Sequence, residues 1–285
     1  MRNALGLFVV LATVYLLVLL IFRLYETRFI FFPDYPSRLA GDWQPAALPT
    51  EDVWLQTGDG VRLHAWWIPA GAEFTFLAFH GNAANIANRA DVYRFLYSLP
   101  ANVLAVEYRG YGRSEGAPSE EGLYRDARAA YDYLVGRRGL PPQRILAFGQ
   151  SLGTAVAANL AADHQVGAVV LEAPFASARA VARRVYPFLP GLGYVVRSRF
   201  DTVAKLQQVH VPLLIIHCTQ DPVIAFALGE EVFHRARDPK SFLQVEGRCH
   251  EEASQVAPGE YRARLLAFLS RIRMASDRRT GDAPP

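Results

Sequence analysis

The chain has 285 residues, 51% of them hydrophobic, and a formal charge of +3. That length accommodates one large globular domain with a well-filled core. The small charge, and the lack of any basic block with interleaved aromatics, argue against a nucleic-acid partner.

The first element in chain order is the uncharged apolar run from Ala4 to Phe22. Roughly twenty such residues, at 1.5 Å rise each, span a hydrocarbon core of about 30 Å. Arg23, Tyr25, Arg28 and the cluster Phe29-Ile30-Phe31-Phe32 follow, as suits a membrane interface. Residues 1–28 are therefore read as an uncleaved single-pass anchor. A cleaved signal peptide is the rival, but its apolar region is shorter and a small-residue cleavage site follows it. A buried helix is the other alternative, though the run has no polar face. Arg2 precedes the run, whereas Arg23, Arg28 and Arg38 follow it. That count places the large domain in the cytoplasm, although long domains can be exported despite such charges.

Residues 29–50, punctuated by Pro33, Pro36, Pro45 and Pro49, read as a linker. Val53–Gln56 and Val61–Trp67 then alternate around Thr57-Gly58-Asp59-Gly60, a hairpin signature. The apolar runs that follow are short and continuous: Phe74–Phe79, Val103–Val106, Ile145–Phe148, Ala168–Leu171 and Leu213–Ile216. Strands buried on both faces have that pattern. Helical patterns at Glu120–Val135 and Thr154–Ala162 lie between them. Such alternation predicts an α/β fold, a mostly parallel central sheet flanked by helices. From Pro174 to Val211 the alternation stops, and helical pieces are cut by prolines and glycines. A small helical cap over the carboxyl ends of the strands is expected there, at about residues 175–208. A strand at Ser241–Val245 and a helix at Tyr261–Ile272 close a domain spanning 51–273, and residues 274–285 read as a disordered tail.

Gly149-Gln150-Ser151-Leu152-Gly153 joins a buried strand to a helix, the context of a nucleophile elbow. A turn that sharp leaves no room for side chains at the flanking positions, hence Gly149 and Gly153. It presents the Ser151 hydroxyl at a helix N-terminus, whose dipole favours developing negative charge. The simpler alternative is a serine N-cap with incidental glycines. A serine needs a base, and the base needs an orienting acid. With such an elbow the chain order is serine, acid, histidine. Asp221 lies just past the strand Leu213–Ile216, and His250 lies in the loop after the strand Ser241–Val245. Among the rivals, Asp201 reads as a helix cap, Asp238 as part of a surface turn, and His234 as mid-helix. The oxyanion donors are expected to be the backbone N–H groups of Leu152 and Asn82, with Ala83 as the alternative to Asn82. His80 reads as a brace for that loop. The stretch Glu107–Gly116 reads as a structural turn, with Arg109 paired to an acid.

The segments "FHGNAANI", "EYRGYGRSEG", "GQSLGTAVA", "APF", "IIHCTQDPVI" and "GRCHEE" resemble, in order and spacing, the α/β-hydrolase superfamily. They look most like its membrane-anchored abhydrolase-domain serine hydrolases, whose relatives include protein depalmitoylases. The resemblance covers roughly Val53 to Ile272. It implies an α/β-hydrolase fold and a serine hydrolase with the triad Ser151, Asp221 and His250. No cofactor is expected, and no histidine–cysteine spacing suggests a zinc site. The cysteine-rich amino terminus of the depalmitoylating relatives is replaced here by a hydrophobic helix. Cys218 and Cys249, the only cysteines, stand where relatives usually have glycine. If Asp221 meets His250, the two sulfurs are neighbours, and a disulfide would pin the acid and base loops together. That pairing favours an oxidising compartment such as a bacterial periplasm, with the chain in the inner membrane. Two free thiols are the alternative.

The expected activity is cleavage of an ester or thioester of an acyl or lipid-like substrate, through an acyl-enzyme on Ser151. The cap residues Phe175, Val181, Val185, Tyr186, Phe188 and Leu189 suit such a substrate. An aminopeptidase-like serine peptidase is the first alternative. It needs an acid for the substrate ammonium, and the cap supplies only Asp201. A non-catalytic membrane scaffold is the second.

Overall fold

The structure is a computed structural model that describes residues 2–281. Its centre is an eight-stranded sheet: β1 (Glu51–Gln56), β2 (Arg62–Ile68), β3 (Phe74–Phe79), β4 (Ala101–Val106), β5 (Ile145–Gln150), β6 (Ala168–Glu172), β7 (Leu213–Cys218) and β8 (Lys240–Val245). The spatial order is β1-β2-β4-β3-β5-β6-β7-β8. Strand β2 pairs antiparallel with both β1 and β4, and every other pairing is parallel. The five continuous apolar runs all become strands whose central residues are shielded on both faces. The strand order reverses direction beside β3, so the loops after β3 and β5 diverge and leave a crevice between them.

Eleven α-helices accompany the sheet among the described residues. They are α1 (Arg2–Leu24), α2 (Glu26–Ile30), α3 (Ala90–Tyr97), α4 (Glu120–Asp132), α5 (Leu152–Asp163), α6 (Ala178–Val185), α7 (Leu192–Val195), α8 (Thr202–Leu206), α9 (Phe226–Arg235), α10 (Ala253–Val256) and α11 (Pro258–Gly281). Helices α4, α5, α8 and α9 pack on one face of the sheet. Helices α3 and α11 cover the other, with Leu96, Tyr261, Leu265 and Phe268 against Phe76 and Phe148. Helix α5 is buried from Leu152 to Leu160. This explains its run of alanines: larger side chains would hold it away from β5.

Two stretches differ from the sequence-based expectation. The segment expected to be a linker, 29–50, is docked on the domain. Phe31 and Leu48 are buried, Phe32 bridges Ala83, and Asn85 Nδ2 donates to the carbonyls of Arg38 and Ala40 at 3.0 and 2.8 Å. Its prolines shape a strap fixed by hydrogen bonds rather than a free tether. The second difference is at the carboxyl end. Helix α11 continues to Gly281 instead of ending at Ile272, because no glycine or proline interrupts residues 273–280. Of the expected disordered tail, residues 282–285 lie outside the described residues.

Glu107–Gly116 proves to be a knot of hydrogen bonds. The Arg109 guanidinium reaches Asp126 on α4 through Nε at 2.8 Å and Asp59 in the β1–β2 turn through Nη1 and Nη2 at 2.8 and 3.0 Å. Burial raises the Asp126 carboxyl to about 6 against the hydrogen bonds and charge of Arg109. Removing one partner of such a pair leaves a buried charge uncompensated. Replacing Arg109 by methionine should therefore lower the unfolding free energy by about 3 kcal/mol. Urea titration of the detergent-solubilised chain measures this, and an unchanged midpoint would rule the ion pair out as a structural tie.

Candidate active site

Ser151 joins β5 to α5 with φ 48° and ψ −116°, a conformation that L-residues rarely adopt. Its neighbours show why glycines flank it. A Cβ on Gly149 would collide with the backbone of Gly153, and one on Gly153 would collide with the Phe79 carbonyl of β3. The turn is held by the Ser151 N–H donating to the Glu172 carbonyl at 2.9 Å. The Thr154 hydroxyl donates back to the Ser151 carbonyl at 2.6 Å. The first helical N–H groups of α5, beginning with Leu152, have no intrahelical acceptor.

Asp221 and His250 meet. His250 Nδ1 lies 2.7 Å from Asp221 Oδ2, and the Asp221 side chain is fully buried. The other carboxylate oxygen, Oδ1, accepts the backbone N–H groups of Val223 and Ile224 at 2.7 and 2.8 Å. His217 Nε2 lies 3.3 Å from Oδ2 and 3.0 Å from the Ile224 carbonyl. Burial works against the Asp221 charge, but the hydrogen bonds from His217, His250 and Val223 outweigh it and hold this carboxyl well below the usual range. For His250, burial disfavours the imidazolium. The Asp221 hydrogen bond and the charges of Glu251 and Asp221 prevail, so its pKa lies above the ordinary value.

Among the described residues no hydrogen bond joins Ser151 to His250, so the structure closes the acid–base half of the constellation and leaves the serine–base contact unmade. Catalytic hydrogen bonds are often long or misaligned before substrate arrives. The histidine loop is instead tied to the elbow one residue away: Gln150 Nε2 donates to the Glu251 carbonyl at 3.1 Å. Cys218, the last residue of β7, and Cys249, which precedes His250, are joined as a disulfide with Cα atoms 5.6 Å apart.

Ser151, Leu152 and Asn82 share the wall of a cavity of about 200 Å³. Its other walls are apolar apart from Glu26, and come from the cap, through Phe175, Val181 and Val185, and from the amino-terminal segment, through Phe22, Phe29 and Ile30. Asn82 is fixed by its carbonyl, which accepts from Phe32 N–H and Tyr111 Oη–H, and by Nδ2 donating to the Ile30 carbonyl at 3.0 Å. His80 is buried beneath it. Its Nδ1 is 2.7 Å from the Gly81 carbonyl and its Nε2 is 3.0 Å from Glu107, the bracing role expected of it. Asp201 Oδ1 accepts from Ala204 N–H as an N-cap of α8. A larger cleft of about 1020 Å³, bordered by Arg125, Arg128 and Arg199, contains none of these site residues.

Sequence reasoning missed several contributors. Glu172, at the end of β6, is buried. Its carboxyl accepts Gln150 Nε2 at 3.0 Å and Ala253 N–H at 3.1 Å, and lies 3.0 Å from Tyr261 Oη. Burial pushes it up to about 8 despite those hydrogen bonds. A carboxylate closing an otherwise apolar strand was the available signal, since a buried carboxyl requires partners. His217 beneath Asp221, and Phe22 and Glu26 from the amino-terminal segment, carried no comparable mark.

A family model described as alpha/beta hydrolase fold matches residues 75–248. Alpha/beta hydrolase domain-containing protein WAV2 of Arabidopsis thaliana is 38% identical over 261 residues, covering 84% of this chain and 82% of that protein. Alpha/beta hydrolase domain-containing protein 17B of Homo sapiens is 33% identical over 239 residues, covering 80% and 79%. Among solved structures, the Pyrococcus furiosus esterase Pf2001 superposes with a TM-score of 0.70 at 22% identity, over 85% of this chain and 98% of that one. That last likeness is one of fold.

Glu172 makes the site sensitive to pH in a definite direction. Its folded-state value of about 8 exceeds the ordinary 4.5. The native state therefore keeps a proton that the unfolded chain releases, and stability should fall as pH rises from 4.5 to 8. A Glu172→Gln variant should lose that portion of the slope. Thermal unfolding of both proteins across this range tests it, and parallel Tm profiles would refute the assignment.

Proposed function

The chain belongs to the α/β-hydrolase family, and we propose on that premise that it is a membrane-anchored serine hydrolase acting on esters or thioesters of acyl or lipid-like compounds. The observation that carries the reading is the 2.7 Å contact between His250 Nδ1 and buried Asp221, in the loops beside a strained, glycine-flanked Ser151. In this reading Asp221 orients His250 with Nε2 free toward the serine. His250 accepts the Ser151 proton as Oγ attacks the acyl carbon, and then delivers it to the leaving alcohol or thiol. The acyl-enzyme is released by water activated by the same imidazole. The N–H groups of Leu152 and Asn82 donate to the oxyanion of each tetrahedral intermediate. A low Asp221 pKa keeps its charge through the cycle, which favours the imidazolium that each transfer creates.

Substrate class follows from the walls of the cavity. Phe175, Val181, Val185 and Phe22 offer apolar surface next to Ser151, where an acyl chain gains by leaving water. The carboxylate that lines this cavity, Glu26, is already engaged, as is Asp201 of the cap, which weighs against an aminopeptidase. Glu26 accepts Arg197 N–H and Ser198 N–H at 2.6 and 2.7 Å, and Asp201 caps α8. Neither is left to receive a substrate ammonium. A scaffold that had lost turnover would not need the three groups retained together.

The stretch Asn3–Leu24 has a mean hydropathy of 2.9 and none of it is buried. A helix of that length and composition serves as an anchor or a signal sequence, and its contacts with the cap support the anchor. The disulfide suits an oxidising compartment, so the catalytic domain is assigned to the periplasmic side of a bacterial inner membrane.

A fluorophosphonate probe should label the wild-type chain and not Ser151→Ala; equal labelling would remove Ser151 from the nucleophile role. Turnover of p-nitrophenyl esters of increasing chain length then ranks acyl preference. The disulfide has its own test. Cys218 and Cys249 are 31 residues apart, for which loop closure alone gives roughly 3–4 kcal/mol. The Cys218→Ser, Cys249→Ser double variant should lose stability of that order, with ester hydrolysis reduced because the acid and base loops are no longer joined. Two free thiols on mass mapping of the native protein would exclude the pairing.

A further inference from the structure

The cap is joined to the amino-terminal helix well along its length. Tyr15 Oη donates to the Pro190 carbonyl, in the turn between α6 and α7. Closer to the domain, the Phe22 ring meets the Tyr186 ring edge-on with centroids 5.5 Å apart, and Arg23 Nη1 donates to the Val195 carbonyl at 3.3 Å. Tyr15 lies nine residues before Leu24, about 13 Å up the helix at 1.5 Å per residue. If α1 crosses a bilayer, whatever is level with Tyr15 sits below the headgroups of the leaflet nearest the domain, whose hydrocarbon is only about 15 Å deep.

The composition of the cap agrees with that depth. Its tip exposes Phe188 and Tyr194, with relative accessibilities of 71% and 73%, and Val185 beside them. Large side chains exposed together in this way, next to an apolar helix, mark a surface that water does not cover in the working state. Behind the tip, residues 173–200 contain five arginines (179, 183, 184, 197 and 199) and no acidic residue. All five are exposed and none has an ion-pair partner among the described residues, although the Arg179 guanidinium stacks on the Tyr194 ring at 3.6 Å. Aromatic residues at a tip with unpaired arginines behind it match an interfacial element that buries its ring side chains and meets anionic headgroups.

We propose that the cap tip, residues 186–194, is inserted in the leaflet adjoining the catalytic domain, with the cap arginines at anionic phospholipid headgroups. The cavity at Ser151 then opens within the leaflet, since Phe22 and Val185 form part of its wall. An acyl substrate enters laterally from the bilayer rather than from water. The proposal rests on reading α1 as an anchor and Ser151 as the nucleophile, and it adds a second, shallower membrane contact that neither reading requires.

The test uses the full-length chain in nanodiscs of mixed phosphatidylcholine and phosphatidylglycerol. A photo-crosslinking benzoylphenylalanine is placed in turn at Phe188, at Tyr194 and, as a control, at Trp54, which is exposed on β1. Phospholipid adducts are expected at the first two positions and not at the third; adducts at none would overturn the proposal. A kinetic arm compares wild type with Phe188→Asp; Phe188, expected from the sequence to suit the substrate, is instead exposed and absent from the walls of the Ser151 cavity. Hydrolysis of a long-chain fluorogenic ester embedded in vesicles should fall about tenfold, with soluble p-nitrophenyl butyrate unaffected. Unchanged hydrolysis of the embedded ester, or an equal loss on both substrates, would also overturn the proposal. The underlying readings fail differently. Absence of turnover by wild type with adducts intact would refute the serine hydrolase alone. A mature chain lacking its first helix by mass would refute the anchor.

Discussion

Ser151 sits in a backbone conformation that costs of order 1–3 kcal/mol, and the surrounding structure is arranged to make that conformation unavoidable. Gly149 and Gly153 let β5, α5 and β3 approach until no side chain fits between them. The Ser151 N–H is claimed by β6 and its carbonyl by Thr154. Because α5 is buried along most of its length, relaxing the turn would require moving a helix out of the core. The strain is therefore sustained by the packing of α5 against the sheet.

Glu172 extends that constraint from one turn to the whole site. A single carboxyl at the end of β6 receives the elbow through Gln150, the histidine loop through the N–H of Ala253, and α11 through Tyr261. Its raised proton affinity means that it serves as a neutral hydrogen-bonding group at moderate pH, which is how a carboxyl is tolerated in a dry core. Asp221 is the opposite case. It too is buried, but four hydrogen-bond partners keep it charged. Two carboxyls at or just past the ends of neighbouring strands thus differ in charge because two imidazoles stand against Asp221, whereas only neutral donors meet Glu172.

The parts of the fold that were legible in the sequence are those set by local pattern. Continuous apolar runs marked the strands from β3 to β7, and Thr57-Gly58-Asp59-Gly60 marked the hairpin turn. Strand–Gly-x-Ser-x-Gly–helix marked the elbow, and position after a strand end selected Asp221 and His250. The strap formed by residues 31–50 was not legible, since its contacts with Asn85 and Ala83 are made by irregular backbone with no periodicity. Nor was the role of Glu172, whose three partners are separated from it by 22, 81 and 89 residues. The approach of Phe22 to Ser151 depends on how α1 and the cap fold back together. An apolar residue in an apolar run gives no hint of that.

Glu26, at the foot of the amino-terminal helix, grips the backbone at Arg197 and Ser198 with both carboxylate oxygens. Helix and cap are thereby tied at Glu26 as well as at Tyr15 and Arg23. Lipid thickness governs how far a hydrophobic helix leans. If the amino-terminal helix is the anchor proposed above, this one carboxylate would transmit the mechanical state of the surrounding lipid to the cavity beside Ser151.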